Sequence, residues 1–488
     1  VRLLAGGFTK DREPLAYYNG HAEGACVLEL NIVNGKLKLL SGPHPMGTNP
    51  TFAAFDPVRG VAYFSNENLE KGCVYACRLE RNGKLTTINS QPAEGNHPCF
   101  LAMTPDNKSV LCANYVSGDV IVFDTADDGS LLKGSVTKLP ADGPYPGAVA
   151  ERQDAPHAHC YFPLGTAGFG LVADLGTDQL LCLRAKDGAV VGKSRFPPGS
   201  GPRHVAVSAD ARWVYVSTEL SNTIAAVPAD PDTGSLSPVA ATLSLQPPGY
   251  DGPATTASHI DLSSCGQFAF VGNRMGVGLD GGCKDCTEGT ISVIKLSPES
   301  PDEHLTLVEC AALGGKVPRN FCVVGSWLIV GLQESSVIRS FAIGASGRLT
   351  PAHELESPSP GCIVPAKLQP KLRKPKWITV DKLQPETRGV NMFAKVVKST
   401  PAEGADEVSD VVMGDATGVV TLRAAGAQTS ICEVGSIVRM QNAKVVMVKG
   451  FMRLVVDKWA VLKPAPDHED MEPKTSNDVS ATEYELAG

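Results

Sequence analysis

Over its first three quarters the chain alternates short apolar runs with clusters of Gly, Pro, Asn, Asp and Ser. The runs are rich in Val, Ile, Phe and Tyr, and long helical periodicity is hard to find, so they read as strands separated by turns. Residues 198–222, PGSGPRHVAVSADARWVYVSTELSN, show the unit. Residues 205–207 read as one strand, 208–212 as a turn, and 213–218 as a second strand running into Glu219. Strands joined by so short a turn are antiparallel, so the start of the first and the end of the second share an edge. Arg203 and Glu219 are therefore expected as neighbours, either as part of a site or as a structural ion pair.

The unit recurs. It reads NPTFAAFDPVRGVAYFSNE at 49–67, HPCFLAMTPDNKSVLCANY at 97–115, PHAHCYFPLGTAGFGLVADLGTD at 156–178, ASHIDLSSCGQFAFVGNR at 257–274 and VPRNFCVVGSWLIVGLQE at 317–334. Anchored on Pro50, Pro98, Pro156, Pro202, Ser258 and Pro318, the steps are 48, 58, 46, 56 and 60 residues. Several units continue into a third strand, at 119–123, 179–184, 223–227, 290–296 and 337–343, and an outer strand often follows. About four strands at a period near 50 residues is the pattern of a β-propeller, and the period argues against a β-sandwich.

Six units are complete, and the ends supply a seventh. Residues 360–364 look like an innermost strand with nothing after it, and 1–9 and 25–40 like later strands with nothing before them. Joined, they close one blade from both ends and remove the open edges of a row of sheets. The expected fold is all-β: a seven-bladed propeller over 1–366, a Pro/Lys-rich linker at 367–376, a small barrel at 377–463 and a disordered acidic tail at 464–488.

Charge divides the chain the same way. The net charge is −8, which argues against generic polyanion binding by the whole molecule. Residues 371–463 carry 15 Lys/Arg against 9 Asp/Glu, and 464–488 carry 1 against 7. Most of the 14 cysteines lie in apolar runs, for example Cys99, Cys112, Cys160, Cys182, Cys265 and Cys322, as buried small hydrophobes do. A reducing compartment, the cytoplasm, is expected. Cys283 and Cys286 form a lone C-x-x-C without a second ligand pair, read as an ordinary loop. No run approaches the roughly 18 apolar residues of a membrane span, and no secretory signal is visible.

Applied to every blade, the hairpin geometry gathers first-strand starts and second-strand ends at one mouth of the central channel. These positions hold Asn66 and Glu67; His97, Asn114 and Tyr115; His157, His159 and Asp174; Arg203, His204 and Glu219; His259 and Arg274; and Arg319 and Asn320. Polar groups concentrated at one end of apolar hairpins point to a binding site there.

Several stretches resemble the lactonase family of seven-bladed propellers, which includes 6-phosphogluconolactonases and carboxy-muconate-cyclising enzymes. They are residues 6–9, Ala113-Asn114-Tyr115, Glu151-Arg152-Gln153 with Pro156-His157-Ala158-His159, and Asp174-Leu175-Gly176-Thr177-Asp178. They continue with residues 199–204, Glu219-Leu220-Ser221-Asn222, Asn273-Arg274 and Pro318-Arg319-Asn320-Phe321. The resemblance spans residues 1 to about 366 in the family's order. It implies a site of His159, Arg203, Glu219 and Arg274, with His157, Asn114, Asp174, His204, Arg319 and Glu67 as substrate-binding candidates, and neither metal nor cofactor. Two departures stand out: Thr218 where the family usually has Asn, and a Gly-rich insertion at 275–289.

The chemistry is coherent. Opening a lactone needs a base to activate water and a cation where oxyanion charge develops. Glu219 or His159 is the candidate base. Arg203 is the candidate oxyanion or substrate-anion partner, and Arg274 and Arg319 add positive field for an anionic sugar lactone. Neither Gly-x-Ser-x-Gly nor His-Glu-x-x-His occurs.

The last segment reads as five short strands, including a hairpin at 411–422 and a final run at 451–462, and this suits a small barrel. It resembles the OB-folds of plant-type single-strand-binding and replication-protein-A-like proteins. The carrying motifs are residues 380–385, Gly414-Asp415-x-Thr417-Gly418, Asn442-Ala443-Lys444 and the run from Arg453 to Trp459. OB-folds hold single strands with basic grooves and stacking aromatics. The candidates are Lys395, Arg439, Lys444, Lys449, Phe451 and Arg453. Trp459, alternating with apolar neighbours, is expected in the core. Protein docking is the other reading of the barrel. The leading functional expectation is a lactonase acting on 6-phosphogluconolactone or a similar acidic lactone. The alternative is a non-catalytic scaffold whose OB-fold docks protein or single-stranded nucleic acid.

Overall fold

A computed structural model describes all residues except 10–19, 69–71, 144–146, 279–285, 301–302, 369–374, 403–407, 458 and 486–488. The chain forms two compact units, Val1–Pro370 and Lys371–Gly488.

In the first unit each repeat is a four-stranded antiparallel sheet. Blade 4 is typical, with strands Pro202–Val207, Trp213–Thr218, Thr223–Pro228 and Ala241–Ser244 from the axis outward. Blade 7 joins Pro360–Ala366 to Arg2–Gly7, Ala25–Leu30 and Leu37–His44, closing the ring from both ends as the repeat arithmetic requires. The two inner strands of each hairpin are apolar on both faces because they pack between neighbouring blades. Tyr63, Phe64, Phe123, Tyr161, Tyr215, Phe270, Phe321 and Phe341 are among the largest fully buried side chains. Each such burial contributes about 1.5–3 kcal/mol relative to exposure.

The described cysteines Cys99, Cys112, Cys160, Cys182 and Cys322 are buried free thiols, as their apolar contexts indicate. Cys265 is exposed, because its run breaks into the turn at Ser263–Gly266. Cys286 is disulfide-bonded, which corrects the ordinary-loop reading; Cys283 lies outside the described residues. Among the described residues no helix is long and apolar enough to cross a membrane.

The second unit is a closed barrel. Its strands are β1 (Arg388–Pro401), β2 (Val408–Asp415), β3 (Gly418–Ala425), β4 (Ile437–Val448), β5 (Phe451–Val455) and β6 (Val461–Pro464). The order is β1-β2-β3-β5-β4-β6, and β1 also pairs with β4, which closes five strands into a ring with β6 outside it. The run expected as one final strand is two, and Trp459 sits in the bend between them, 74% exposed rather than in the core.

The acidic tail also departs from expectation. Residues 477–480 lie along β3, where Val419 N donates to Asn477 O at 2.8 Å, Val479 N to Val419 O at 3.0 Å and Thr421 N to Ser480 Oγ at 2.9 Å. The charge pattern suggested disorder, but the free edge of β3 supplies backbone partners, and an unpaired buried N–H is costly.

Candidate active site

The site is built by a repeated irregularity. In blade 4, Pro202 pairs with Thr218 and His204 with Ser217, so Arg203 is left out of the ladder as a bulge. Cys99 is skipped in the same way between Pro98 and Phe100, His159 between Ala158 and Cys160, and Arg319 between Pro318 and Asn320. A bulge re-aims its side chain, and these four residues line one chamber at the head of the channel, with Thr51, Phe52, Glu67, His204, Asn320 and Gly361. The chamber measures about 260 Å³ including its opening, and its narrow centre has room for about one water molecule. Beneath it His204 packs edge-on against Phe52, Phe100 and His259, and His259 against Phe321, plugging the axis with rings.

Glu219 organises the charges. Its Oε2 accepts from Arg203 Nε at 2.8 Å and lies 3.1 Å from Arg274 Nη2 in an ion pair, and its Oε1 accepts from Arg152 Nη2 at 2.9 Å. His159 Nε2 is 4.0 Å from the same Oε2. Burial alone would raise the Glu219 carboxyl, but Arg274, Arg152 and Arg203 hold it well below the usual carboxylate range. Burial, Arg274 and Arg319 draw the Arg203 guanidinium down to about 9 against the pull of Glu219, which leaves it cationic at neutral pH. Burial and then Arg203 push the His159 imidazole well below its ordinary value. The same two causes act on His204 and on His259, which falls to about 3. His204 Nδ1 lies 2.8 Å from His259 Nδ1, a spacing suited to one donor and one acceptor between neutral rings.

The turn that delivers Arg203 is held from the preceding blade. Asp178 accepts from Gly199 N at 2.8 Å and Gly201 N at 2.7 Å. Gly201 has φ +61°, and a Cβ there would lie 2.5 Å from Leu220, so the position requires glycine.

Arg203, Glu219, Arg274 and His159 thus converge, with Arg319, His204 and Glu67 at the same chamber. Three expected binding residues do not join them. Asn114 and Asp174 are the last residues of their second strands, the position that Thr218 holds in blade 4, one before that of Glu219. Asn114 Nδ2 donates to Asp119 Oδ1 at 2.7 Å and Ala93 O at 2.9 Å. Asp174 accepts from His157 N at 2.7 Å, Gly176 N at 3.1 Å and Thr177 Oγ1 at 2.6 Å. Side chains alternate along a strand, so one step in register turns these carboxyl and amide groups into turn locks. Thr218 occupies the same position, and its Oγ1 donates to Thr223 O at 2.9 Å, so the departure from Asn falls on a turn lock rather than on the site. His157 stacks on Tyr115 at 4.7 Å, with Nε2 2.8 Å from Asp154 Oδ1, because Ala158 takes the place that Pro202 holds in blade 4. Arg152 was missed as a site residue. It reaches Glu219 from the segment ahead of blade 3 and donates to Tyr115 Oη at 3.1 Å, and Glu151-Arg152-Gln153 was its only sequence signal.

A family profile described as lactonase, seven-bladed β-propeller, matches residues 2–365. The chain belongs to this lactonase family. A 6-phosphogluconolactonase of Bacillus subtilis is 31% identical over 356 residues, 71% of this chain and 95% of its own. Two solved lactonase propellers superpose at similar quality. A putative 6-phosphogluconolactonase of Bacteroides fragilis has TM-score 0.62 and 26% identity over 74% of this chain and 96% of its own. The periplasmic gluconolactonase of Pseudomonas aeruginosa has TM-score 0.63 and 26% identity over 75% and 99%. The lactonase propeller is followed by a match at residues 383–464 to a profile described as single-stranded DNA binding protein Ssb-like, OB fold.

On the barrel the expected contact residues separate. Lys395 and Arg439 lie on the outer face of β1 and β4, with the Trp377–Phe393 stack, whose ring centroids are 4.5 Å apart. Lys444 pairs with Asp457 at 3.0 Å. Arg453 sits over the Phe451 ring at 5.8 Å and donates to Ser480 O at 3.1 Å, so the tail covers both. Lys449 occupies the left-handed position of the β4–β5 turn, φ 49°. Trp377 and Phe393 were not among the expected contact residues.

Proposed function

We propose that the propeller hydrolyses an anionic sugar lactone, with 6-phosphogluconolactone the substrate suggested by the names of its relatives. The observation that carries this reading is the chamber itself. Arg203 and Arg319 line it with Glu67 and a neutral His159, and Glu219 behind them gathers Arg203, Arg152 and Arg274. Glu219 serves as the anchor that positions three guanidiniums, since a carboxylate held so far below its usual range is a poor base. His159 takes the proton of the attacking water. Burial is the larger cause of the depressed His159 pKa, and the part due to Arg203 and Arg319 is offset when an anion binds, which raises its basicity on substrate binding. Water adds to the lactone carbonyl carbon, Arg203 and Arg319 stabilise the oxyanion, and the ring C–O bond breaks as His159 returns its proton to the leaving oxygen. The product is the open hydroxy acid. The scaffold reading is less favoured, because it leaves the convergence of these groups without a use. Turnover of 6-phosphogluconolactone and of uncharged gluconolactone by the full chain, each against spontaneous hydrolysis, tests the proposal. Higher kcat/KM for the phosphorylated lactone is expected, and rates equal to the spontaneous ones overturn it. Twelve of the described cysteines are free thiols, with Cys286 the disulfide-bonded exception, and this supports a reducing compartment, the cytoplasm on this reading.

For the barrel we infer single-stranded nucleic acid as the ligand. The stacked Trp377–Phe393 pair beside Lys395 and Arg439 supports this, as does the profile description. Salt-dependent anisotropy of a labelled oligonucleotide tests it, and no shift at low salt rejects it.

A further inference from the structure

The outer face of β1, β4 and β6 carries a continuous row of side chains. Phe393 stands opposite Arg439 in the β1–β4 ladder, and Arg439 opposite Lys463 in the β4–β6 ladder. Val390, Met392, Ala394 and Val396 point into the core, so Asn391, Phe393 and Lys395 point out. Trp377, 42% exposed, extends the row by stacking on Phe393. Rings for bases and cations for phosphates are the two elements of a single-strand platform.

The row is occupied by the chain itself. The His468 ring lies 4.1 Å from Phe393, centroid to centroid, with 33° between planes, continuing the Trp377–Phe393 stack. Two residues on, Asp470 Oδ1 is 2.8 Å from Lys395 Nζ, and Asp470 and Glu472 both raise the lysine's pKa. A flat heteroaromatic ring on the aromatic and a carboxylate on the cation repeat the base and phosphate of a nucleotide in kind. Four acidic residues, Asp467, Glu469, Asp470 and Glu472, fall within this short stretch. The segment is tethered at both ends, by β6 on one side and by Lys474 N donating to Asp415 O at 3.0 Å on the other, so its local concentration is high. The hold is nevertheless weak, because Asp470 is largely exposed and an exposed ion pair is worth at most about 1 kcal/mol.

We infer that residues 467–472 act as a built-in nucleotide mimic that covers the single-strand platform and must be displaced for nucleic acid to bind. The inference rests on the single-stranded nucleic acid reading of the barrel.

The test uses the full chain and fluorescein-labelled oligo-dT and oligo-U at low salt, so that DNA and RNA are distinguished. His468→Ala with Asp470→Asn removes both contacts and leaves the anchors Asn477 and Ser480 in place. Roughly tenfold tighter binding than the unaltered chain is expected, the change that follows if the tail covers the platform nine-tenths of the time. Glu469→Gln removes the same charge without either contact and is expected to change affinity far less. Adding Phe393→Ala to the double variant is expected to abolish the gain. Binding by every variant at equal affinity overturns the mimic and leaves the nucleic-acid reading standing. Equal gains from Glu469→Gln and the double variant also overturn the mimic, since they would report charge alone. A gain insensitive to Phe393→Ala places the binding elsewhere and overturns it too. No binding by any variant overturns the mimic and the reading together.

Discussion

Arg203 and Glu219 meet Nε to Oε2 at 2.8 Å within one hairpin, and both are almost wholly buried. The pair is neither private nor sealed off. Glu219 is shared with Arg152 and Arg274, while Arg203 also borders the chamber. Arg203→Ala is therefore expected to lower lactone kcat/KM by at least about a hundredfold, the scale of losing one oxyanion donor, with the chain still folded. Unchanged turnover in a well-folded variant refutes the role.

Glu219 is expected to behave differently. Glu219→Leu strands three guanidiniums in a buried setting, and breaking buried pairs in this way costs about 3–5 kcal/mol. Glu219→Gln keeps hydrogen-bond acceptance and should fold with a smaller loss. Urea unfolding of both variants checks the order. If Leu and Gln prove equally stable, the carboxylate is not the electrostatic anchor.

Acid should loosen the propeller through its buried imidazoles. His159, His204 and His259 have folded pKa values below the ordinary value, His259 at about 3. The unfolded chain binds more protons across that interval, so their contribution is complete above the ordinary histidine pKa of about 6.5 and is lost as pH falls below it. Each histidine can add a slope of up to about 1.4 kcal/mol per pH unit. Urea unfolding from neutral to mildly acidic pH should show this slope, and His259→Gln should reduce it. An unchanged slope in that variant excludes His259 as a contributor.

Asp174 is expected to matter for stability and little for turnover. Its carboxylate accepts two backbone N–H groups and one hydroxyl. Asp174→Ala should destabilise by about 1–3 kcal/mol through the stranded donors, with lactone KM changed by less than about threefold, well under one tenfold step of binding energy. A large rise in KM without loss of stability would return Asp174 to the binding site.

Much of this was legible in the chain because a propeller repeats its instructions. Each hairpin announces its edge with a Gly/Pro-rich approach, and the blade closed by both ends follows from counting strands. Arg203, Glu219, Arg274 and His159 fall among the rim positions by the same logic, and the family resemblance singled them out. What the pattern hid was local register. Asn114 and Asp174 stand one residue before the position that Glu219 fills in blade 4, and hydropathy does not tell a turn lock from a ligand. Arg152 comes from a connecting segment, where no periodicity applies. The tail looks disordered by composition, but it completes an edge of the barrel whose need is visible only once the strands are paired. Trp459 followed alternation into a supposed core, but the strand breaks just before it.

The bulges have a consequence for how such a site can change. A residue squeezed out of the ladder takes no part in the hydrogen-bond register that holds its blade together. Cys99, His159, Arg203 and Arg319 are four residues carrying three different chemical groups, all presented by one backbone device. The propeller thus resembles a ring of sockets, each accepting a thiol, an imidazole or a guanidinium without re-threading the sheet behind it. New substrates can be reached on this scaffold by exchanging one socket at a time, and the ion-pair network around Glu219 sets how many can change together.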